Sequence, residues 1–141
     1  MFIFVLAICK QCSCWSIQMK KSLEIIEEFM RLTNDNHDIE GAMALMDENI
    51  SFIGPAVKCS NRQEYGALLE QFLSAHTGWK KHQTFENGED VCFITDIHLK
   101  TPNNQNITIE LSEWFKLSND KIIAHKVFYD PTEFNAAFGL K

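Results

Sequence analysis

Apolar residues recur at helical spacing in the first half of the chain and at alternate positions in the second half. Residues 20–34 carry an apolar stripe with a period near 3.6, which predicts an amphipathic helix. Asp38 is placed to cap a second, short helix, and a capping box that begins at Ser60 predicts the start of a third. Between the second and third helices, residues 50–53 have the character of a short strand.

From Trp79 onward the period changes to two, which is the repeat of a half-buried strand. The pattern predicts four strands, at residues 79–85, 90–100, 107–117 and 121–129. Asp130-Pro131 then provides the cap and first turn of a short closing helix. Three helices with an early strand, followed by a run of strands, predict a single α+β domain.

One position in the third of these strands breaks the alternation. Its buried face would carry Ile109, Leu111, Phe115 and Leu117, yet Glu113 lies in the middle of that row. A buried carboxylate is costly unless it is protonated or paired with another group. Glu113 is therefore the residue most expected to mark a site.

The partner of Glu113 depends on the register of the last hairpin. A three-residue loop at 118–120 places Glu113 directly opposite His125, where their Cβ atoms would be about 5 Å apart. A two-residue loop instead places Glu113 opposite Lys126. We expect the three-residue loop, and with it a Glu–His pair inside a mostly apolar cavity.

Such a pair predicts acid–base chemistry. His125 would take or give a proton near neutral pH, Glu113 would orient it or act as the acid, and Tyr129 would donate a hydrogen bond to a substrate oxygen. The alternative is a buried ion pair with a structural role only. The expected walls of the ligand pocket are aromatic or apolar: Phe29, Phe52, Trp79, Phe93, Phe115 and Val127.

Composition and charge narrow the classes of partner. The 141 residues suit one domain, and a net charge of −6 without a Lys/Arg cluster argues against binding to nucleic acid. We find neither a set of residues at metal-ligand spacing nor a phosphate-binding motif, so we expect no metal and no cofactor. The spacing of the five cysteines predicts reduced thiols, and we therefore expect a cytoplasmic protein.

Residues 1–18 differ in composition from the rest and are predicted to lie outside the folded domain, which would span 19–141. Their apolar run, 2–9, is too short to cross a membrane, which takes about 20 residues. No basic residue precedes the run and no small-residue cleavage site follows it. Export or lipid anchoring through this segment is the lesser alternative to a cytoplasmic location.

The element order resembles that of the nuclear-transport-factor-2-like superfamily, and so do two stretches, DIEGAMALMDENISFIGP and EWFKLSNDKIIAHKVFYDPTEF. The branch with the greatest similarity holds SnoaL-like proteins, polyketide cyclases and ketosteroid isomerases, and the resemblance covers about residues 20–140. It implies a curved, mostly antiparallel sheet that forms a cone. About three N-terminal helices and a short C-terminal helix would close this cone around an apolar pocket. It also implies a homodimer that associates through the sheet.

The functional residues of ketosteroid isomerases carry over only in part. Their general-base Asp corresponds to Gly54, their pocket Tyr to Met30, and their second acid to Glu113. Because one position of three keeps its acid, the resemblance argues against steroid isomerisation. The expected function is binding of a small hydrophobic molecule, with cofactor-independent isomerase, cyclase or dehydratase chemistry. The alternative is a non-catalytic ligand-binding or protein-interaction module, because this fold hosts both.

Overall fold

The computed structural model of the chain describes residues 21–140, so the expectations for residues 1–18 lie outside the described part. The helices are α1 (Lys21–Met30), which continues into a π-helical turn (Arg31–Asp35), α2 (Ile39–Ala44), α3 (Arg62–Ala75) and α4 (Pro131–Ala137). The strands are β1 (Met46–Ile53), β2 (Lys58–Cys59), β3 (His76–Asn87), β4 (Asp90–Lys100), β5 (Asn106–Ser118) and β6 (Lys121–Phe128).

The six strands form one curved sheet in the order β2-β1-β6-β5-β4-β3. Every neighbouring pair is antiparallel except β1 and β6, which run parallel. The helices α1 and α3 pack their apolar residues against the sheet. The predicted α+β class, with a mostly antiparallel cone, three N-terminal helices and a short C-terminal helix, is confirmed. Within residues 21–140, no helix is both long enough and apolar enough to cross a membrane.

Side-chain caps fix where the helices begin. Asp38 accepts a hydrogen bond from the Gly41 amide at the start of α2, as predicted. The capping box of α3 lies one residue later than expected: Asn61 accepts from the Glu64 amide, and the Glu64 carboxylate accepts from the Ser60 amide. Asn is as good a cap as Ser, and the helix dipole favours a carboxylate in the first turn. The helix therefore begins after Asn61 and not after Ser60.

The turn between β5 and β6 corrects the expected hairpin. The loop has two residues, Asn119 and Asp120, both with positive φ, instead of the expected three. This left-handed backbone is that of a primed turn, whose twist matches the twist of the flanking strands. Ser118 therefore pairs with Lys121, and the register that would face Glu113 with His125 is wrong.

A β-bulge then changes the register of the rest of β6. Leu117 pairs with Ile122 but Lys116 pairs with Ala124, so Ile123 is an extra residue. Beyond this bulge, Glu113 faces Val127, and the alternative in which it faces Lys126 does not occur either. His125 returns to the concave face of the sheet because the extra residue restores the alternation.

Buried side chains form two clusters inside the cone. The larger joins α1 and α3 to the sheet and includes Phe29, Phe93 and Phe115. The smaller, around Ile97, Leu99 and Ile109, lies under partly buried aromatic residues of α3, β3 and α4. Side chains of both clusters border one cavity, which places the site between them.

Candidate functional site

The cavity inside the cone has a volume of about 490 Å³. Its wall is formed mainly by apolar side chains from α1, α3, α4 and the sheet, including Leu69, Phe72, Ile97 and Leu111. A few polar groups interrupt this wall, among them Glu113, His125, Tyr65 and Tyr129. A mostly apolar cavity with a few convergent polar groups is the usual form of a small-molecule site.

Glu113 and His125 are in contact on the cavity wall. Glu113 Oε1 lies 3.1 Å from His125 Nε2, and the two residues are only 8% and 3% exposed. They are diagonal neighbours across β5 and β6, since the residue directly opposite Glu113 is Val127. Long side chains on one face of a sheet reach diagonal neighbours. The predicted contact is therefore present although its predicted register is wrong.

Tyr65 of α3 completes this polar group from the opposite side of the cavity. Its hydroxyl forms a hydrogen bond with His125 Nδ1, so both imidazole nitrogens have partners. The second oxygen of Glu113, Oε2, is 3.4 Å from the Thr95 hydroxyl, which donates a long hydrogen bond to it. Tyr65, His125 and Glu113 thus form one chain of hydrogen bonds, which we call the Tyr–His–Glu chain.

Aromatic rings hold the imidazole in place. The His125 ring stacks on Phe115, with centroids 4.0 Å apart and an interplanar angle of 15°. Phe29 and Phe52 meet the same ring edge-on. Because close packing fixes the ring and Tyr65 and Glu113 fix its nitrogens, His125 has little freedom to rotate toward a ligand.

Burial also determines the state of Tyr65. Burial, followed by the negative charge of Glu113 and a smaller effect of Cys59, raises the pKa of the Tyr65 phenol well above its ordinary value. The group therefore stays a neutral hydroxyl, able to donate one hydrogen bond and to accept others.

The predicted pocket residues divide into two groups. Phe29, Phe52 and Val127 line the cavity. Phe93 and Phe115 are fully buried in the packed core and lie outside the lining. Trp79 is also outside it, and its indole N–H donates to Asp35 of the π-helical turn at 2.7 Å.

Tyr129 lines the cavity but is separate from the Tyr–His–Glu chain. Its ring packs edge-on against Phe134 of α4, and burial raises the pKa of its phenol. Among the described residues its hydroxyl has no hydrogen-bond partner. Tyr129 is thus a polar group on the wall beside α4 whose predicted role remains a prediction.

Tyr65 was not predicted from the sequence, because an aromatic residue at helical spacing is most often part of the core. The only signal was that tyrosine carries a hydroxyl that needs a partner when it is buried. Met30 and Gly54, which match the Tyr and Asp positions of ketosteroid isomerases, both line the cavity. That part of the wall therefore carries no acid or base.

A second buried histidine lies outside the chain of hydrogen bonds just described. His76, 5% exposed, has Nδ1 3.1 Å from His37 Nε2, while its own Nε2 is buried without a partner among the described residues. Burial, then the neighbouring His37 and His98, lowers the pKa of His76 from 6.5 to about 4. His76 is therefore held neutral and is a poor candidate for a general base.

On the outer face of the sheet, one group of side chains has the spacing of a metal site. The ligand atoms of His82, Asp96 and Glu110 lie within 4.8 Å of one another, on three adjacent strands. His82 Nε2 is already 2.9 Å from Asp96, and none of the three is buried. Such exposed groups commonly exist without an ion, and the expectation of no metal remains a prediction.

Comparisons with known proteins identify the fold and the family. The family model described as SnoaL-like domain matches residues 26–125, which is more than half of the chain. A comparison with curated protein sequences gives no significant match.

Solved structures match over most of the described chain. An NTF2-like protein of unknown function from Cytophaga hutchinsonii has 26% identity and a TM-score of 0.70, with coverage of 80% of this chain and 93% of that one. An NTF2-like protein from Burkholderia pseudomallei, also of unknown function, has 12% identity and a TM-score of 0.76, with coverage of 85% and 98%. An LEH-like epoxide hydrolase from M. tuberculosis has 13% identity and a TM-score of 0.69, with coverage of 85% and 91%.

Proposed function

Since this chain belongs to the SnoaL-like domain family, within the nuclear-transport-factor-2-like superfamily, we propose that its cavity binds a small hydrophobic molecule and performs cofactor-independent acid–base chemistry on it. The observation that carries this proposal is the buried Glu113–His125 pair on the wall of an apolar cavity of about 490 Å³. Cavities of roughly 300–1,000 Å³ are typical of small-molecule sites.

The proposed reaction is proton abstraction next to a carbonyl group. The Glu113 carboxylate takes the proton, and the electron pair of the broken C–H bond moves onto the carbonyl oxygen to give an enolate. Return of the proton to another carbon of the enolate gives the isomerised product. Attack of the enolate carbon on a second carbonyl of the ligand, whose oxygen takes the proton, gives the cyclised product, and loss of a β-hydroxyl, which leaves as water with that proton, gives the dehydrated product. His125 holds Glu113 and stabilises its charge through Nε2. Tyr129 is a further proposed donor to the ligand, on the wall beside α4.

A non-catalytic ligand-binding or protein-interaction module of the same fold is the second candidate. Two observations favour it. Gly54 and Met30 leave the wall without the base and the tyrosine of ketosteroid isomerases, for which reason steroid isomerisation is not proposed. In addition, both nitrogens of His125 are already occupied.

The outer face of the sheet supports a homodimer, which we propose as the assembled form. Phe85 on β3 and Phe128 on β6 are 56% and 58% exposed, and Trp114 lies between them on the same face. Exposed aromatic residues on a sheet face are typical of an interface. The free thiols Cys59 and Cys92 agree with the cytoplasmic location that we also propose.

The exchange of hydrogen for deuterium at the methyl group of 2-acetylnaphthalene tests the chemistry without knowledge of the natural substrate. In D₂O, NMR should record catalysed loss of the methyl proton signal, because the methyl group lies next to a carbonyl. Glu113→Gln should slow this exchange by about 10²-fold or more, since general-base catalysis contributes that much. Glu110→Gln, an exposed carboxylate on the same strand, is the matched control and should leave the rate unchanged.

Binding without exchange in the wild-type protein would favour the non-catalytic module. The absence of both binding and exchange would contradict the proposed function. An equal loss of exchange in Glu110→Gln would show that general charge, and not the buried pair, governs the rate.

A further inference from the structure

The environment of His125 decides which residue meets the ligand. Nε2 lies against Glu113 and Nδ1 against the Tyr65 hydroxyl, and the ring is stacked on Phe115. His125 therefore has no free nitrogen for a ligand. The polar atoms of the Tyr–His–Glu chain that remain for a ligand are its two ends, the Tyr65 hydroxyl and Glu113 Oε2.

Resting on the proposed function, we propose that Tyr65 binds a carbonyl-type oxygen of the ligand and that one proton taken up by the His125–Glu113 pair makes its hydroxyl hydrogen available. The pocket would thus select flat hydrophobic molecules that carry a hydrogen-bond acceptor. Acceptor binding would be coupled to protonation of the chain.

The coupling follows from which atoms of the Tyr–His–Glu chain carry hydrogen in each of its two protonation states. With His125 neutral and Glu113 ionised, Nε2–H donates to the carboxylate and Nδ1 accepts the hydrogen of the Tyr65 hydroxyl. With one more proton on the pair, Nδ1 also carries hydrogen and donates to the Tyr65 oxygen. The hydrogen of Tyr65 must then point elsewhere, and the Tyr65 side chain borders the cavity.

Without a ligand, this second state has a cost. The Tyr65 hydroxyl has no hydrogen-bond partner other than His125 among the described residues, so its released hydrogen would be a buried, unsatisfied donor. A buried donor without an acceptor destabilises this state. A ligand acceptor removes the cost, and by linkage its binding draws the proton onto the pair.

The surroundings allow this exchange of partners. The titratable groups that face Tyr65 are Glu113 on β5, His125 on β6 and Cys59 on β2, while the facing residues of α1 and β1 are the apolar rings Phe29 and Phe52. Burial keeps the Tyr65 phenol neutral, so it remains a donor in both states. The extra proton therefore resides on His125 or Glu113.

The test compares two ligands of nearly equal shape, 2-acetylnaphthalene and 2-isopropenylnaphthalene, which carry C=O and C=CH₂ at the same position. Calorimetric titration of the full chain should give about fivefold to tenfold tighter binding of the ketone, the value of one neutral hydrogen bond. Titrations in buffers of different ionisation enthalpy should detect proton uptake with the ketone only. The preference should grow as pH falls, because acid supplies the proton that the pair takes up.

Tyr65→Phe should abolish both the preference and the proton uptake while 2-isopropenylnaphthalene still binds. This variant leaves His125 Nδ1 without its partner. A second measurement therefore uses a protein that retains the Tyr65 hydroxyl. Incorporation of 3-fluorotyrosine labels the chain's two tyrosines, and Tyr129→Phe assigns their two ¹⁹F signals. The Tyr65 signal should respond differently to the two ligands.

Equal binding of both ligands by the wild-type protein would overturn the inference and leave the ligand pocket intact. Loss of the preference in Tyr129→Phe, with its retention in Tyr65→Phe, would assign the donor to Tyr129 and overturn it as well. A preference without proton uptake at any pH would refute the coupling. If neither ligand binds, the proposed function itself fails.

Discussion

At the scale of residues, the two buried histidines differ in what their nitrogens meet. His125 has a hydroxyl on one nitrogen and a carboxylate on the other, so its buried polar atoms are satisfied. His76 Nδ1 meets only His37, and its second nitrogen has no partner among the described residues. Burial and the neighbouring histidines oppose an imidazolium at His76.

His76 should therefore make the protein sensitive to acid. Its folded-state pKa of about 4 lies below 6.5, so between these values the unfolded chain binds more protons and stability falls as pH falls. The full loss corresponds to at most ~3 kcal/mol. When the free energy of unfolding is measured with urea at several pH values in this range, it should depend less on pH in His76→Gln than in the wild-type protein. Identical slopes would contradict the assignment.

The sequence was sufficient to find Glu113 and His125 but not Tyr65. Alternation along a strand fixes which side chains share a face, and two long polar side chains on one concave face meet in more than one register. Tyr65 sits on a helical stripe, where an aromatic residue is most often core. Its link to His125 depends on how α3 packs against the sheet, which local pattern does not encode.

At the scale of elements, α4 forms one side of the cavity without any buried residue of its own. Phe134 and Phe138 contribute to the wall, and their rings pack against each other. The cap of this helix is Asp130, which accepts a hydrogen bond from the Thr132 amide. Hydrogen bonds from the backbone and the side chain of Thr132 lower the pKa of the Asp130 carboxyl. A helix of seven residues depends strongly on such a cap.

Asp130→Ala should loosen α4 and leave the sheet unchanged. Loss of an N-cap costs about 1 kcal/mol, which would raise amide hydrogen exchange in α4 about fivefold. Asp130→Asn keeps an equivalent acceptor and is the matched control. Faster exchange across β5 and β6 as well would indicate that α4 is part of the global unfolding unit.

Element types could be predicted from periodicity, but several boundaries could not. β1 begins at Met46 although residues 46–49 are largely polar, and β3 begins at His76, directly after α3 and before the predicted start at residue 79. Pairing with neighbours extends these strands beyond their apolar runs. The bulge at Ile123 could not be predicted either, since the sequence pattern does not show which residue of a strand is left unpaired.

At the scale of the whole molecule, the exposed aromatic residues of the outer face predict association. Phe128→Glu should shift sedimentation from dimer to monomer, because it would bury an unpaired charge in the proposed interface. Ser74→Glu on α3 introduces the same charge on the helical side and should not change the assembly. A wild-type protein that sediments as a monomer at high concentration would contradict the dimer.

The parallel pairing of β1 with β6 was not accessible from the sequence, because strand order is not a local property. It also sets the order in which the molecule can form. β1 leaves the ribosome long before β6, yet β6 must insert between β1 and β5 to complete the sheet. Such long-range closure slows folding and leaves unpaired strand edges until it occurs. His125 arrives on that same strand, so the Tyr–His–Glu chain is complete only when β6 has closed the sheet.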